Sequence, residues 1–448
     1  MRTLRLLDIG IAKDRISATC GIDDLTFSFS IWYQDIDLTK LPNIERVAFH
    51  VAMFQINAVA SLAPNNISVG RYAEFASPAF VKLWRTVFEK VWAQWRWEHQ
   101  RPDYVPDFVD ANGTSGTPSK VAAGPVELLA FCGGGKDSLV ALRLLERAGL
   151  PFSTLGYSHS IYGAAAPQHA LLDRVADKTA RVRAERQWIY DDFLDSPVVQ
   201  MRGSALGIKS LTAAETPASV FAALPIAIAR GYKHLVLAHE ASANSGNLTW
   251  GATGEEVNHQ WGKSFEAERL LATYVQHELC DVDYWSVLQP VHDELIFELL
   301  ARDAELAPLT HSCNIAKPWC GTCAKCAYVW LQMSAHLPPA IVQQTFGRDL
   351  GALPENEIWF RQLLGLAEHS PFECVGSPAE ARLALSLLPT KSKLLDQLAR
   401  EVGAIDAKQL AAPLVELNAE HSIPKHVAER VLPIFADAAR SAKARLRL

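Results

Sequence analysis

Leu128-Leu-Ala-Phe-Cys-Gly-Gly-Gly-Lys-Asp-Ser-Leu-Val-Ala-Leu142 joins three kinds of segment in fifteen residues. An apolar run of strand length leads into three glycines, then Lys136, Asp137 and Ser138, then a helix-periodic apolar pattern. Glycine lets a backbone turn tightly and bring its N–H groups close to a ligand. Ser138 falls where a helix begins, so its hydroxyl and the unpaired N–H groups of the first turn can hold phosphate oxygens. Lys136 adds a compact positive charge. Asp137 can hold a Mg²⁺ ion that bridges phosphates. Cys132, Gly133, Gly134, Gly135, Lys136, Asp137 and Ser138 are therefore the expected phosphate-binding residues. The spacing is neither that of a Walker loop nor that of the dinucleotide fingerprint.

Outward from this loop, strand-like and helix-like runs alternate. Strands are predicted at Glu127–Cys132, Phe152–Ser158, Gln187–Asp191, His234–His239 and Tyr284–Leu288. Helices are predicted near Ser138–Ala148, Ala165–Arg183, Ser219–Arg230 and Ser264–Leu279. Such alternation predicts an α/β fold, a parallel sheet with helices on both faces, over residues 126–310. Residues 1–110 form an α+β N-terminal region, with a strand at Leu25–Tyr33 and helices at Val47–Leu62 and Ala79–Trp97. The last of these carries Trp84, Phe88, Trp92, Trp95 and Trp97, which suits packing against a neighbouring domain or a stripe that binds a sugar or base. Residues 111–125 read as a linker, rich in Gly, Ser, Thr and Pro. Residues 311–330 hold a cysteine cluster, and 331–448 form a helical C-terminal region.

The chain has 448 residues, 49% of them hydrophobic, and a net charge of −6. That length supports more than one core. The acidic balance offers no field to attract nucleic acid, so no nucleic-acid partner is expected. The start of the chain shows no secretory pattern, and the apolar stretch near Val220–Ala229 is too short to span a bilayer. A cytoplasmic protein with no membrane partner is expected. The composition leaves the oligomeric state open.

Three further segments carry chemistry. Cys313, Cys320, Cys323 and Cys326 are spaced C-x6-C-x2-C-x2-C. Four thiolates at this spacing can close a tetrahedral, structural Zn²⁺ site, with buried or redox-active thiols as the alternative. Lys317 and Lys325 would offset its negative charge. The stretches His239–Gly251 and Val257–Glu268 concentrate Glu240, Asn244, Asn247, Asn258, His259, Gln260, Lys263 and Glu266 after a predicted strand. The carboxyl ends of parallel strands line a ligand crevice, so Asn244, Asn247, Trp250, Asn258 and Gln260 are expected to contact substrate. Finally, Cys374 sits in the Pro-bounded loop Ser370–Pro378 beside Glu373, where a reactive or a simply buried thiol is possible in chemical terms.

The glycine loop resembles the PP-loop, Ser-Gly-Gly-x-Asp-Ser, of the ATP-pyrophosphatases, with Gly133 in place of the first Ser. That resemblance implies an adenine nucleotide alpha hydrolase-like domain that binds ATP and releases pyrophosphate whole. The cysteine spacing is similar to that of 7-cyano-7-deazaguanine synthases, which share the PP-loop. Taken in order along the chain, Phe131–Ser138, Ser242–Trp250, Val257–Gln260 with Lys263-Ser264, Lys317–Cys326 and Pro371–Gly376 resemble the UDP-N-acetylmuramoyl-L-alanyl-L-glutamate epimerases. This implies inversion of the terminal L-Glu of UDP-MurNAc-L-Ala-L-Glu, with ATP consumed to AMP and pyrophosphate, in the presence of Mg²⁺, in adenylylating its carboxylate. His259, Lys263 and Glu240 are then the leading candidates for proton transfer and enolate stabilisation, with Cys374 next. Arg202, Lys209 and Arg230 are available for the UDP diphosphate. An amide- or nitrile-forming PP-loop ligase and a tRNA-modifying PP-loop enzyme are the competing expectations.

Overall fold

The computed structural model describes residues 2–448. One ten-stranded sheet runs through it, in the order β12-β9-β6-β7-β8-β3-β2-β1-β4-β5. In chain order the strands are β1 Thr3–Ile11, β2 Arg15–Ile22, β3 Leu25–Tyr33, β4 Asn66–Ser68, β5 Asp107–Phe108, β6 Leu128–Phe131, β7 Phe152–His159, β8 Ala184–Asp191, β9 His234–Leu237, β10 Leu248–Trp250, β11 Glu255–Val257 and β12 Asp283–Ser286. Strands β10 and β11 form a separate two-stranded hairpin.

Strands β6, β7, β8, β9 and β12 pair in parallel. Their order is that of a doubly wound sheet, and it reverses between β6 and β9. In such sheets the crevice at the reversal, outside the carboxyl ends of the strands, is where ligands bind. The glycine loop leaves β6 at that point. Strand β6 is apolar on both faces because both faces are covered. Leu129 belongs to a core shared with the helices Ile44–Ile56 and Glu215–Arg230. Leu128 and Ala130 belong to a second core with the helices Lys136–Arg147, Asp293–Ala301, Ala324–His336 and Lys425–Leu446.

The N-terminal strands extend the same sheet. In β3, Phe27, Phe29, Ile31 and Tyr33 are buried and alternate with more exposed residues, as a strand with one covered face requires. β3 pairs antiparallel with β8, Tyr33 opposite Gln187 and Phe29 opposite Asp191. The sheet is therefore mostly parallel with an antiparallel stretch through β8, β3, β2 and β1.

Two predicted helices are shorter than periodicity suggests. Ala165–Arg183 stops at Ala176, and Arg181 folds back onto Asp173 and Asp177 to turn the chain into β8. Ala79–Trp97 is two helices, Pro78–Lys90 and Ala93–Glu98. Trp84, Phe88, Trp92 and Trp95 are buried within the core, so these rings pack and do not form an exposed binding stripe. The Gly- and Ser-rich stretch before β6 is tied down: Ser119 bridges to Cys280, and the Gly116 N–H donates to Glu278. Beyond Ser286 no strand occurs among the described residues. No helix among them is long and apolar enough to cross a membrane.

Candidate active site

A cavity opens at the carboxyl ends of β6, β7 and β9. Its volume is about 300 Å³. Gly133, Gly135, Asp137 and Ser138 form one side of it. The Gly133 N–H donates to the Ser138 hydroxyl at 3.0 Å, which fixes the loop over the start of helix Lys136–Arg147. Gly134 has φ +78°, and a Cβ there would lie 2.1 Å from the His311 ring. Only glycine fits so close a wall. The same wall is held by the His311 N–H, which donates to the Gly134 carbonyl at 2.8 Å. Loop, hydroxyl and helix start together fit a phosphate group.

Lys136 turns inward. Its ammonium pairs with Asp137 at 2.6 Å and with Asp293, deep in the protein. Burial alone would lower this ammonium, but Asp137 and Asp293 hold it raised. Behind it lies a buried polar network. The Tyr328 hydroxyl donates to Asp293 at 2.7 Å, and the Asp293 N–H donates to Glu380 at 2.9 Å. Glu380 also accepts from Ser242 and Ser377, closing a capping box on helix Pro378–Leu387. Burial would raise Glu380, yet His292 and Ser242 bring it down to about 2. Glu240 joins this network. Burial, with Asp293 and Glu380 close by, pushes it well above the carboxylate range.

On the other side of the loop, three side chains converge. The Lys263 ammonium donates to the Cys374 sulfur at 2.8 Å. Lys325 donates to the Cys374 carbonyl at 2.7 Å. Burial would raise the Cys374 thiol, but Lys263, Lys325 and a hydrogen bond from His259 hold it well below its ordinary value. Lys263 is correspondingly raised by Cys374 against the effect of burial. The geometry pairs an ammonium group and the Cys374 sulfur on the cavity wall, with an imidazole beside them. His259 is positioned by Gln94, at 2.7 Å from its Nδ1, and by the Asn247 side chain, which accepts from its N–H at 2.8 Å.

The amides expected to contact substrate are used within the protein. Asn244 donates to Ala241 and Gln289 and accepts from the Phe265 N–H. Asn247 donates to the Pro371 carbonyl, Asn258 to Ala243 and Gln260 to Val375. These bonds satisfy backbone groups that have no ladder partner, and they clamp the loop carrying Cys374 onto the loop carrying His259. Trp250 is buried beside Val257 and Ala93, with Trp97 and Phe372 packed on them. Arg202, Lys209 and Arg230 lie outside the cavity lining and already pair with Asp24, the Glu98 carbonyl and the Asp35 carbonyl. The lysines that line the cavity are Lys263, Lys317 and Lys325. Motif reading passes over Tyr157, His159 and Glu215, which also line it. They sit at the ends of β7 and at the start of helix Glu215–Arg230, and only the strand order reveals that these ends meet.

The four clustered cysteines draw together. Their sulfurs all lie within 4.8 Å of one another. Cys313 and Cys323 are 3.8 Å apart, as are Cys320 and Cys326. Thiolates about 2.3 Å from a tetrahedral metal stand roughly 3.8 Å apart, so the cluster fits a metal ion. Backbone N–H groups of Ile315, Ala316, Gly321 and Thr322 point at the sulfurs, as they do around bound metal knuckles. The knuckle also builds the cavity wall: Ser312 precedes Cys313 and packs on Gly135, and Lys325 precedes Cys326.

The chain is similar to known proteins. Residues 211–287 match the family described as MurL N-terminal domain, and residues 309–412 the MurL C-terminal domain. Those segments hold His259 and Lys263, and the cysteine knuckle with Cys374. A Xanthomonas oryzae pv. oryzae protein named UDP-N-acetyl-alpha-D-muramoyl-L-alanyl-L-glutamate epimerase is 30% identical over 331 residues, 69% of each chain. Proteins of the same name from a Micromonospora species and Salinispora tropica are 33% and 32% identical. The matched parts are 60% and 59% of this chain, and 58% and 56% of those relatives' length. The two matched family segments, with a relative 30% identical and covered over 69% of its length, mean that the chain belongs to the UDP-N-acetylmuramoyl-L-alanyl-L-glutamate epimerase family.

Proposed function

We propose that this protein inverts the α-carbon of the terminal L-Glu of UDP-MurNAc-L-Ala-L-Glu, using ATP to adenylylate the adjacent carboxylate. The observation that carries the reading is the Lys263–Cys374 pair, 2.8 Å apart, on the wall of the cavity that the glycine loop also lines. Activation and proton removal can then occur in one chamber. The names of the relatives support the substrate, and the loop geometry supports the nucleotide.

The chemistry explains the need for ATP. A free carboxylate beside Cα makes its hydrogen very weakly acidic, because deprotonation would stack negative charge. Carboxylate oxygen attacks the α-phosphorus of ATP, pyrophosphate leaves, and the neutral acyl-adenylate becomes an electron sink. Gly133 to Ser138 hold the phosphates, and Lys317 adds positive charge at the cavity edge. Mg²⁺, held by Asp137, would neutralise the departing pyrophosphate. Cys374 takes the Cα proton as thiolate. Lys263 and His259 stabilise the charge that develops on the enolate oxygen. Reprotonation on the other face gives the D configuration, and water cleaves the adenylate to carboxylate and AMP. Glu240 lies behind Lys136 and acts on the phosphate side, tuning the Lys136–Asp293 pair. Zn²⁺ in the cysteine knuckle would be structural, since four thiolates leave no open position.

The test is incubation with ATP, Mg²⁺ and UDP-MurNAc-L-Ala-L-Glu in deuterated water. D-Glu carrying one deuterium at Cα, with one AMP per inversion, is the expected result. AMP without inversion would overturn the epimerase reading in favour of an amide-forming ligase. Absence of AMP would overturn the adenylylation step.

A further inference from the structure

Helix Ala93–Glu98 belongs to the N-terminal region, yet it touches both loops of the site. Its Ala93 packs with Trp250 and Val257 of the β10–β11 hairpin, which leads into His259. The buried Arg96 pairs with Glu255 of β11 and donates to the Pro102 carbonyl at 2.6 Å. The Trp97 ring stands 5.4 Å from Phe372, which lies just before Cys374 in the chain. From this helix Gln94 reaches the His259 ring. That ring is exposed, so packing alone does not hold it.

The hydrogen bonds around Gln94 fix where the protons sit. One end of its amide lies 2.6 Å from the Glu98 carboxylate, one helical turn on. Glu98 also accepts from the Ser210 hydroxyl. A carboxylate only accepts, so the amide end that faces it is the NH2 group. The Gln94 carbonyl oxygen therefore faces His259 Nδ1, at 2.7 Å. A carbonyl oxygen also only accepts, so Nδ1 carries a hydrogen. A neutral ring then has its lone pair on Nε2, the nitrogen left for the hydrogen bond to Cys374.

We infer that Gln94 is a positioning residue for proton transfer: it holds His259 in the Nδ1–H tautomer, so that Nε2 meets Cys374 and exchanges the thiol proton with it. This rests on the epimerase reading above. The step balances. The S–H bond of Cys374 breaks, its proton forms an N–H bond at Nε2, and the electron pair stays on sulfur. Thiolate and imidazolium result. The thiolate takes the Cα proton, and the new Nε2–H faces the charge that develops on the enolate oxygen. A ring already protonated at Nε2 and bare at Nδ1 could not accept the thiol proton there. Glu373 and Glu215 also stand near the ring, and Lys263 and Lys325 near the sulfur. Those charges favour the ion pair, but charge at a distance does not choose between two ring nitrogens, whereas a hydrogen bond does. An amide behind an imidazole that faces a sulfur is a solution that unrelated folds reach independently.

The experiment uses full-length protein with ¹⁵N in its histidine rings. H259N identifies the ring's signals by removing them, and Q94M, E98Q and Q94E/E98Q are compared with wild type. In wild type, Nδ1 should stay protonated as pH is raised until the ring is neutral, and only Nε2 should lose its proton. Q94M removes the acceptor and E98Q frees the amide to turn, so in both the neutral ring should become a mixture of tautomers. Q94E/E98Q exchanges the two groups and keeps an acceptor at Nδ1, so it should match wild type. Turnover of UDP-MurNAc-L-Ala-L-Glu in deuterated water is read alongside. A positioned acid or base contributes about 10²–10⁴-fold, so Q94M should lose roughly 10-fold or more in inversion and in deuterium entry. AMP release should fall far less, and Q94E/E98Q should recover most of the inversion. A neutral wild-type ring bare at Nδ1 overturns the inference. So does Q94M that inverts like wild type, or that loses AMP release as much as inversion, since that marks a merely structural role. Wild type that releases AMP without inverting overturns the epimerase reading, and the tautomer measurement still judges the hold of Gln94 on the ring.

Discussion

Gly134→Ala should disable the glycine loop, proposed above to hold phosphate, by a route that a matched glycine elsewhere separates from backbone strain. Gly134 and Gly347 have φ of +78° and +71°. Alanine in the left-handed region costs roughly 1–2 kcal/mol at either site. Around Gly347, at the end of helix Pro339–Phe346, nothing lies within 4 Å of a new Cβ. At Gly134 the Cβ would stand 2.1 Å from His311 Cε1 and 2.3 Å from Nε2. The ring would have to retreat by more than an ångström to reach an ordinary contact, while the His311 backbone N–H remains tied to the Gly134 carbonyl. Overpacking of this kind adds about 1–3 kcal/mol. A displacement of about 1 Å in a reacting group can cost on the order of 100-fold in rate. Urea unfolding and AMP release would be measured on both variants. G347A should lose stability alone, with turnover near wild type. G134A should lose more stability and about 100-fold in AMP release. Equal AMP release by the two variants would refute the claim that the His311 wall sets the loop's shape.

Three further outcomes follow from the same geometry. Metal analysis of the purified protein should find one tetrahedrally bound ion per chain, and C323S should lose it. AMP release should fall with the metal, because Ser312 and Lys325 hang on the knuckle. K263M should move the acid limb of the inversion-pH profile upward: the proposed working form of Cys374 is the thiolate, activity falls as pH drops through its pKa, and Lys263, with Lys325 and His259, holds that pKa down. An unmoved limb would assign the base elsewhere. His50 is buried, takes its Nε2 hydrogen bond from or to Tyr274 at 2.7 Å, and is lowered to about 4 chiefly by burial. Its contribution to stability is present above the unfolded value near 6.5 and is lost as pH falls from there to about 4, at about 1.4 kcal/mol per pH unit. Urea unfolding of wild type and H50Q between pH 7.5 and 5 should show the gap between them shrinking; a constant gap would mean that His50 takes up its proton at the same pH in the fold as in the unfolded chain.

What the sequence makes legible here is local, and what it hides is the meeting of distant ends. The glycine loop reads correctly as a strand-to-helix turn because each part has its own signal within fifteen residues: apolar run, glycines, helical period. The knuckle is equally local, four sulfurs in one short stretch. By contrast, nothing in Leu25–Tyr33 states that its partner is Ala184–Asp191, more than 150 residues away. Pairing of that kind follows from which edge is left open once the parallel strands have assembled. Glu215 is hidden for the same reason: an acid in a first helical turn is common, and only the strand order brings it to the cavity. The Asn-rich loop illustrates a different difficulty. A polar loop can offer its amides to a ligand or to its own backbone, and composition is the same in both cases. Here Asn244, Asn247, Asn258 and Gln260 bond to backbone groups.

That allocation has a consequence for how the site works. Lys263 and His259 sit on one long loop, Cys374 on another, and neither loop belongs to a strand or a long helix. Left alone, each would sample many conformations, and fixing a residue's backbone costs about 1–2 kcal/mol. The amide clamps fasten the two loops to each other: Asn247 spans from the His259 N–H to the Pro371 carbonyl, and Gln260 reaches the Val375 carbonyl. Lys325, rooted in the cysteine knuckle, fastens the Cys374 carbonyl from below. The thiolate is thus approached by two ammonium groups whose positions come from separate parts of the chain, one from the loop after β9 and one from the knuckle. Either cation alone could swing away. Held together through one loop, they favour a charged sulfur and keep it aimed, which suits the base role proposed for Cys374.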